Sequence, residues 1–191
     1  LHPLLRLPLA SLAFPVLRRR PRPELQLFMD TVYPLVHADG LVSIFEYCLG
    51  RMLQTQVNWA LDPSAHWRPG NLRLSQASSE IIAVLTVVAH TGHAHPTDAN
   101  RAYIAGVARV FPRINAPYAP PVDAIAALEA AWPALEMLQP TGKELLIEAL
   151  VAAISHDQQV AVAEAELLRT ICASLQCPLP PMLETMESRL S

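Results

Sequence analysis

Glycine is scarce, six residues in 191, and no two lie close enough to make the Gly-rich loop that cradles a phosphate. Cysteine is scarcer still. Cys48, Cys172 and Cys177 are odd in number and show no C-x-x-C spacing, which argues against a disulfide framework or a zinc knuckle and fits a reducing compartment. No G-x-S-x-G elbow and no H-E-x-x-H string occurs, so nucleophilic and zinc-peptidase chemistry have no residues to run on here. Charged residues make up only 16% of the chain and the formal net charge is -3. The basic face of a nucleic-acid binder is therefore missing, and nucleic acid is discounted as a partner.

Two further absences concern shape. No stretch alternates apolar and polar residues between hairpin turns, which speaks against a β fold. An uninterrupted apolar run of the roughly 20 residues that a membrane-spanning helix needs is also lacking. Residues 1–17 are apolar but shorter than that, carry Arg6 and contain Pro3, Pro8 and Pro15. They read as an apolar arm or short helix packed on the domain, with no direct membrane span. Arg18, Arg19, Arg20 and Arg22 behind it read as a solvated linker or juxtamembrane patch. A signal peptide is excluded by the order of charge and apolar stretch, and the start at Leu1 rather than Met predicts a piece of a longer protein.

What the chain does have is hydrophobic residues, 52% of the total, spaced with helical periodicity. The expected fold is all-α: a single compact bundle of seven to eight helices, with residues 1–23 as the arm and 24–191 as the domain. A helix over about 24–36 would carry Leu27, Phe28, Val32, Leu35 and Val36 inward and stop near Pro34. The next, to about Asn58, opens on a capping box in which Ser43 and Glu46 satisfy each other's backbone N–H groups. Residues 59–75 read as a long loop, where Trp59 and Trp67 could anchor a partner. A very apolar helix from Ser75 or Ser78 to Gly92, through Ile81, Val84, Leu85 and Val88, should be central. Then follow a helix opened by Pro96 with Tyr103, Ile104, Val107 and Val110 inward, helices over about 122–138, 141–155 and 162–175, and a short one after Pro181.

One pattern occurs twice, 118 residues apart. Asp39, Val42, Glu46, Leu49 and Arg51 have the spacing of Asp157, Val160, Glu164, Leu167 and Arg169, and Phe28, Asp30 and Val32 stand where Leu146, Glu148 and Leu150 stand. The chain thus reads as a duplicated helix-turn-helix framework, its two copies expected to pack about a pseudo-twofold axis with Val42 and Val160 buried equivalently.

Three constellations bear on chemistry. The duplicated acidic motif matches the rear half of an EF-hand loop, but its front carboxylate positions are Leu35 and His37 in one copy and Ala153 and Ser155 in the other, too few oxygens for calcium. The plainer reading makes Asp39 and Asp157 acceptors for turn N–H groups, with Glu46 and Glu164 favoured by the helix dipole. Ala161 replaces the capping serine, so Glu164 is expected to turn to an arginine. His90, His93 and His95, with Asp98, form the second constellation; Gly92 is expected to break the helix between them, leaving solvated helix-end histidines. Cys48 and Cys172 read as core thiols. No catalytic residue is assigned.

Asp39 to Val42 with Glu46 and Leu49, taken together with the run from His156 to Arg169, resembles the all-helical TerB-like (tellurite-resistance) domain. More narrowly, the string Leu7 to Pro15 ahead of His37 to Gly40, with the ending Ala173 to Pro181, is similar to the C-terminal extension of some bacterial HtpX-like membrane zinc metallopeptidases. The resemblance covers most of residues 1–185. It implies a non-catalytic interaction or regulatory module of a membrane peptidase whose zinc ligands and catalytic glutamate lie upstream of Leu1. Zinc would belong to that parent, with no cofactor in this chain. The implied partners are the attached or associated peptidase or a protein substrate, and the implied location is the cytoplasmic face, tethered to the inner membrane through the parent. It also implies divalent-cation binding at acidic positions, which map onto Asp39, Glu46, Asp157 and Glu164, and this chain departs from it by carrying Gln158 where the first copy has Gly40.

Overall fold

The computed structural model of the chain describes residues 2–36, 42–64 and 70–183. Among these residues the fold is all-α, as the periodicity predicts, with no strand and a single isolated bridge between Leu72 and Leu138. The eight longest α-helices among the described residues are α1 (Arg6–Leu17), α2 (Arg22–Val36), α3 (Ile44–Leu61), α4 (Ser78–Gly92), α5 (Pro96–Val110), α6 (Ala124–Glu136), α7 (Pro140–Ile154) and α8 (Val162–Leu175), and residues 181–183 are helical as well. None is long and apolar enough to cross a membrane. They fall into two compact units: residues 1–68 with 181–191, and residues 69–180. One copy of the acidic motif lies in each.

In the first unit, α1 and α2 both pack on α3. The start of α3 is held by the capping box read from the sequence: the Ser43 backbone N–H donates to Glu46 Oε2 at 2.9 Å, and the Glu46 N–H donates to Ser43 Oγ at 3.3 Å. The stripe expected on α2 is rotated. Leu25 is buried while Leu27 is 67% exposed. Cys48 is fully buried beside Tyr47 and Met52 positions of the same helix face, a core thiol as expected.

The second unit is organised on α4, which touches α5, α6, α7 and α8. Residues in contact with four neighbours must be apolar almost all round, and Ile81, Val84, Leu85, Val87, Val88 and Ala89 are all buried. Helix α5 meets α7 at Gly106, where a Cβ would lie 2.8 Å from Leu85 Cδ2 and 3.0 Å from the Ala149 carbonyl oxygen. The buried stripe of α5 is Ala99, Ala102, Tyr103, Gly106, Val107 and Val110. Ile104, expected inward, sits beside that stripe and is 55% exposed. Pro at the first position opens both α5 and α7, where its missing N–H costs nothing. Trp132 is buried in α6.

The equivalent burial expected of Val42 and Val160 is not found, for both are half-exposed. In the second copy the turn is made by Gln158, at φ 62°. That left-handed conformation suits glycine, the residue the first copy has at this point, and costs a side-chain-bearing residue roughly 1–2 kcal/mol.

Candidate metal site at the C-terminal end of α4

Helix α4 runs through Gly92 without a break and stops there, His93 being the extended residue that follows it. Gly92 therefore ends the helix between His90 and His93, as the sequence predicts. The three histidines diverge. His90 is exposed, with Nδ1 3.2 Å from the Tyr118 hydroxyl, and His95 is exposed. Asp98 faces Arg101 at 3.3 Å. Only His93 turns inward, its side chain 5% exposed.

There it meets the second copy of the acidic motif. His93 Nδ1 lies 2.9 Å from the Ala89 carbonyl oxygen. A carbonyl only accepts, so Nδ1 carries a hydrogen, and whenever the ring holds only that one, Nε2 presents its lone pair. That Nε2 faces Asp157 Oδ2 at 3.5 Å. The other oxygen of Asp157 is already in use, accepting the Gln159 N–H at 2.9 Å and holding the tight turn after α7. His156, adjacent in sequence, packs edge-on against the His93 ring with centroids 5.2 Å apart. Its Nδ1 is buried without a hydrogen-bond partner.

His93, His156 and Asp157 can each offer one ligand atom such that all three lie within 4.8 Å of one another. Bonds of roughly 2.0–2.2 Å in a tetrahedral site hold ligand atoms about 3.4 Å apart. The His93–Asp157 pair already stands near that spacing at 3.5 Å, and the other separations, all within 4.8 Å, need to close by at most about 1.4 Å, a side-chain adjustment. Two acceptor atoms facing each other across such a gap call for a cation between them, either a proton or a metal ion.

Glu164 completes the surroundings. It sits in the first turn of α8, and Oε2 accepts the Ala161 N–H at 2.9 Å. Alanine has no side-chain acceptor, so this is half of a capping box. The arginine expected to pair with Glu164 is replaced by a histidine: Oε1 lies 3.7 Å from His93 Nδ1 and has no hydrogen-bond partner although it is buried. Burial pushes the Glu164 carboxyl up to about 7, a rise reinforced by Asp157 and opposed by the Ala161 N–H and by His93. The side chain has room only because residue 92 is glycine, since a Cβ there would lie 2.0 Å from Glu164 Oε1.

Among the described residues, the first copy shows no comparable cluster. Glu46 is taken up by its own cap, with Ser43 Oγ donating at 2.7 Å and the Ser43 N–H at 2.9 Å, and these bonds hold its carboxyl below the usual range. Asp39 and Trp67 lie outside the described residues. Trp59 is half-buried in the last turn of α3, which extends to Leu61, past the end at about Asn58 that the sequence predicts. Of the four acidic positions, then, the structure brings Asp157 and Glu164 together and adds His93 and His156, which the motif comparison did not select. The clue to His156 was its place directly before Asp157; nothing local links His93 to either.

No family model, curated protein or solved structure matches this chain. The TerB-like resemblance accordingly rests on its residues alone.

Proposed function

We propose that the second unit is a divalent-metal-binding domain, with His93, His156 and Asp157 as ligands and Glu164 as the acidic group behind them. The observation that carries this reading is the orientation of His93. Metal-bound imidazoles almost always donate their second N–H to a carbonyl or carboxylate, which fixes the ring and aims the other nitrogen at the ion. The Ala89 carbonyl at 2.9 Å provides that hold, and the buried Nδ1 of His156 and Oε1 of Glu164 supply polar atoms without a hydrogen bond in the protein.

Two imidazoles and a carboxylate suit zinc or another first-row transition metal better than calcium or magnesium, which take oxygen ligands. A bound ion would tie α4, the turn after α7 and the start of α8 to one point, so its first consequence is to stabilise the unit. The role of accessory module to a membrane zinc metallopeptidase is a second proposal; the resemblance in residues supports it, whereas the metal reading has a geometry.

Thermal denaturation of the full chain with zinc, manganese, calcium and magnesium tests the reading. An ion that binds only the folded state, at about 100 times its dissociation constant, adds about 2.7 kcal/mol and raises the midpoint. Zinc is expected to raise it, calcium and magnesium to leave it unchanged, and His156→Ala or Asp157→Asn to abolish the zinc effect. Absence of a shift with every ion, or a zinc shift equal in wild type and both variants, defeats the proposal.

A further inference from the structure

Helix α1 is apolar on two opposite sides, and only one of them is used by the fold. At about 100° per residue, Leu7 and Phe14 fall together on one side, and both are buried. Leu9, Leu12 and Val16 fall within about 60° of one another on the opposite side, and they are 55%, 74% and 62% exposed. An apolar stripe of this kind in water is a contact surface awaiting an occupant.

Charge identifies the occupant. Residues 1–23 hold five of the 14 basic residues of the chain and none of its 17 acidic ones, against nine basic and 17 acidic residues elsewhere. Arg18, Arg19, Arg20 and Arg22 follow the last turn of α1 and are all exposed. Among the described residues, Arg20 alone of these four has an acidic neighbour, Glu24 at 3.7 Å. Arg6, at the start of α1, lies over the Phe45 ring. An exposed apolar stripe leading into unneutralised arginines, in a chain that is otherwise acidic, complements a surface that is apolar beneath a negative skin.

We propose that α1 and the arginines behind it dock the first unit on an anionic phospholipid surface. Leu9, Leu12 and Val16 enter the boundary between headgroups and acyl chains, while Arg18, Arg19 and Arg22 lie among the lipid phosphates. The helix lies in the plane of the interface, since it is too short to span. This surface is separate from the metal site and does not depend on it.

Flotation of the full chain with vesicles of phosphatidylcholine alone, and of equal parts phosphatidylcholine and phosphatidylglycerol, is the test. Binding is expected to the anionic vesicles only and to weaken as salt is raised. Arg18→Gln with Arg19→Gln and Arg22→Gln should lower partitioning about a hundred-fold, at roughly five-fold per charge. Leu9→Gln with Leu12→Gln and Val16→Gln should lower it at least about ten-fold, and because all these side chains are exposed, far-UV circular dichroism should be unchanged. Failure of the wild type to float with anionic vesicles overturns the proposal, as does flotation of both triple variants at the wild-type level. A lipid-free dimer that the Leu9, Leu12 and Val16 substitutions convert to monomer also overturns it, by making a second copy of the chain the occupant.

Discussion

Glu46 and Glu164 stand at the same step of the same motif, third in the first turn of a helix, and each accepts the backbone N–H of its cap residue at 2.9 Å. There the likeness ends. Ser43 adds a hydroxyl donor at 2.7 Å, and its two bonds hold the Glu46 carboxyl down. Ala161 adds nothing, burial takes water away, and the Glu164 carboxyl is driven up to about 7. One motif therefore makes a helix cap in the first unit and a titratable buried acid in the second. The deciding variable is what covers the glutamate, because the cost of removing a carboxylate from water exceeds what one backbone N–H returns.

The largest effect expected from this contrast is in the pH dependence of stability. Glu164 has its folded pKa raised above the ordinary 4.5, to about 7. Below 4.5 it is neutral in both states and costs nothing. As pH rises from 4.5 to 7 the unfolded chain releases the proton and the folded chain keeps it, so stability falls, by about 3 kcal/mol in all, and stays lower above pH 7. Glu164→Gln is expected to remove that decline, measured by urea denaturation with a chelator present across pH 4 to 8. Parallel curves for wild type and variant break the comparison.

Gly92→Ala comes next. Its Cβ would occupy the place of the Glu164 carboxylate, and a loss of about 1–3 kcal/mol is expected from overpacking. Combining Gly92→Ala with Glu164→Ala should cost less than the two single losses added, because the clash is gone; strict additivity shows that the two residues do not meet.

The caps give a smaller, paired test. Ser43→Ala should cost about 1 kcal/mol, while Ala161→Ser, by completing the second box, should return up to about 1 kcal/mol. Denaturation midpoints for the two variants are expected to move in opposite directions. Smallest of all is Glu46→Gln. Glu46 has a lowered folded pKa, so its contribution is present above the unfolded value of 4.5 and is lost as pH falls through the folded value. The variant should flatten only the acid end of the curve, below about pH 4.5, where Glu164→Gln has no effect on the slope.

How far the molecule could be read in advance varies with the range of the interactions involved. The bounds of α4, α5, α7 and α8 follow from local signals, a proline at the first position of α5 and α7 and a change of period at each end, and they agree with the structure to within a residue or two. Faces were harder to assign. Leu27 and Ile104 fit an apolar stripe about as well as Leu25 and Tyr103 do, and only the neighbouring helix selects between them. The acidic motif pointed to Asp157 and Glu164 but gave Asp39 and Glu46 equal standing. His93 stands in the sequence among histidines that the fold separates, and His156 carries no local mark of a ligand beyond its place beside Asp157.

The all-α class, the helix boundaries, the Ser43–Glu46 box and the missing serine at position 161 were set by residues within one or two turns of each other, since hydrogen bonds of caps and the 3.6-residue period are local. The meeting of His93 with Asp157 and Glu164 was decided by the packing of α4 against α8 and by the few ångströms that a glycine at position 92 leaves open. That packing sets the dielectric around Glu164. A burial energy depends on everything that displaces water from the group, and residues some 70 positions apart in the chain share it only once the chain has folded.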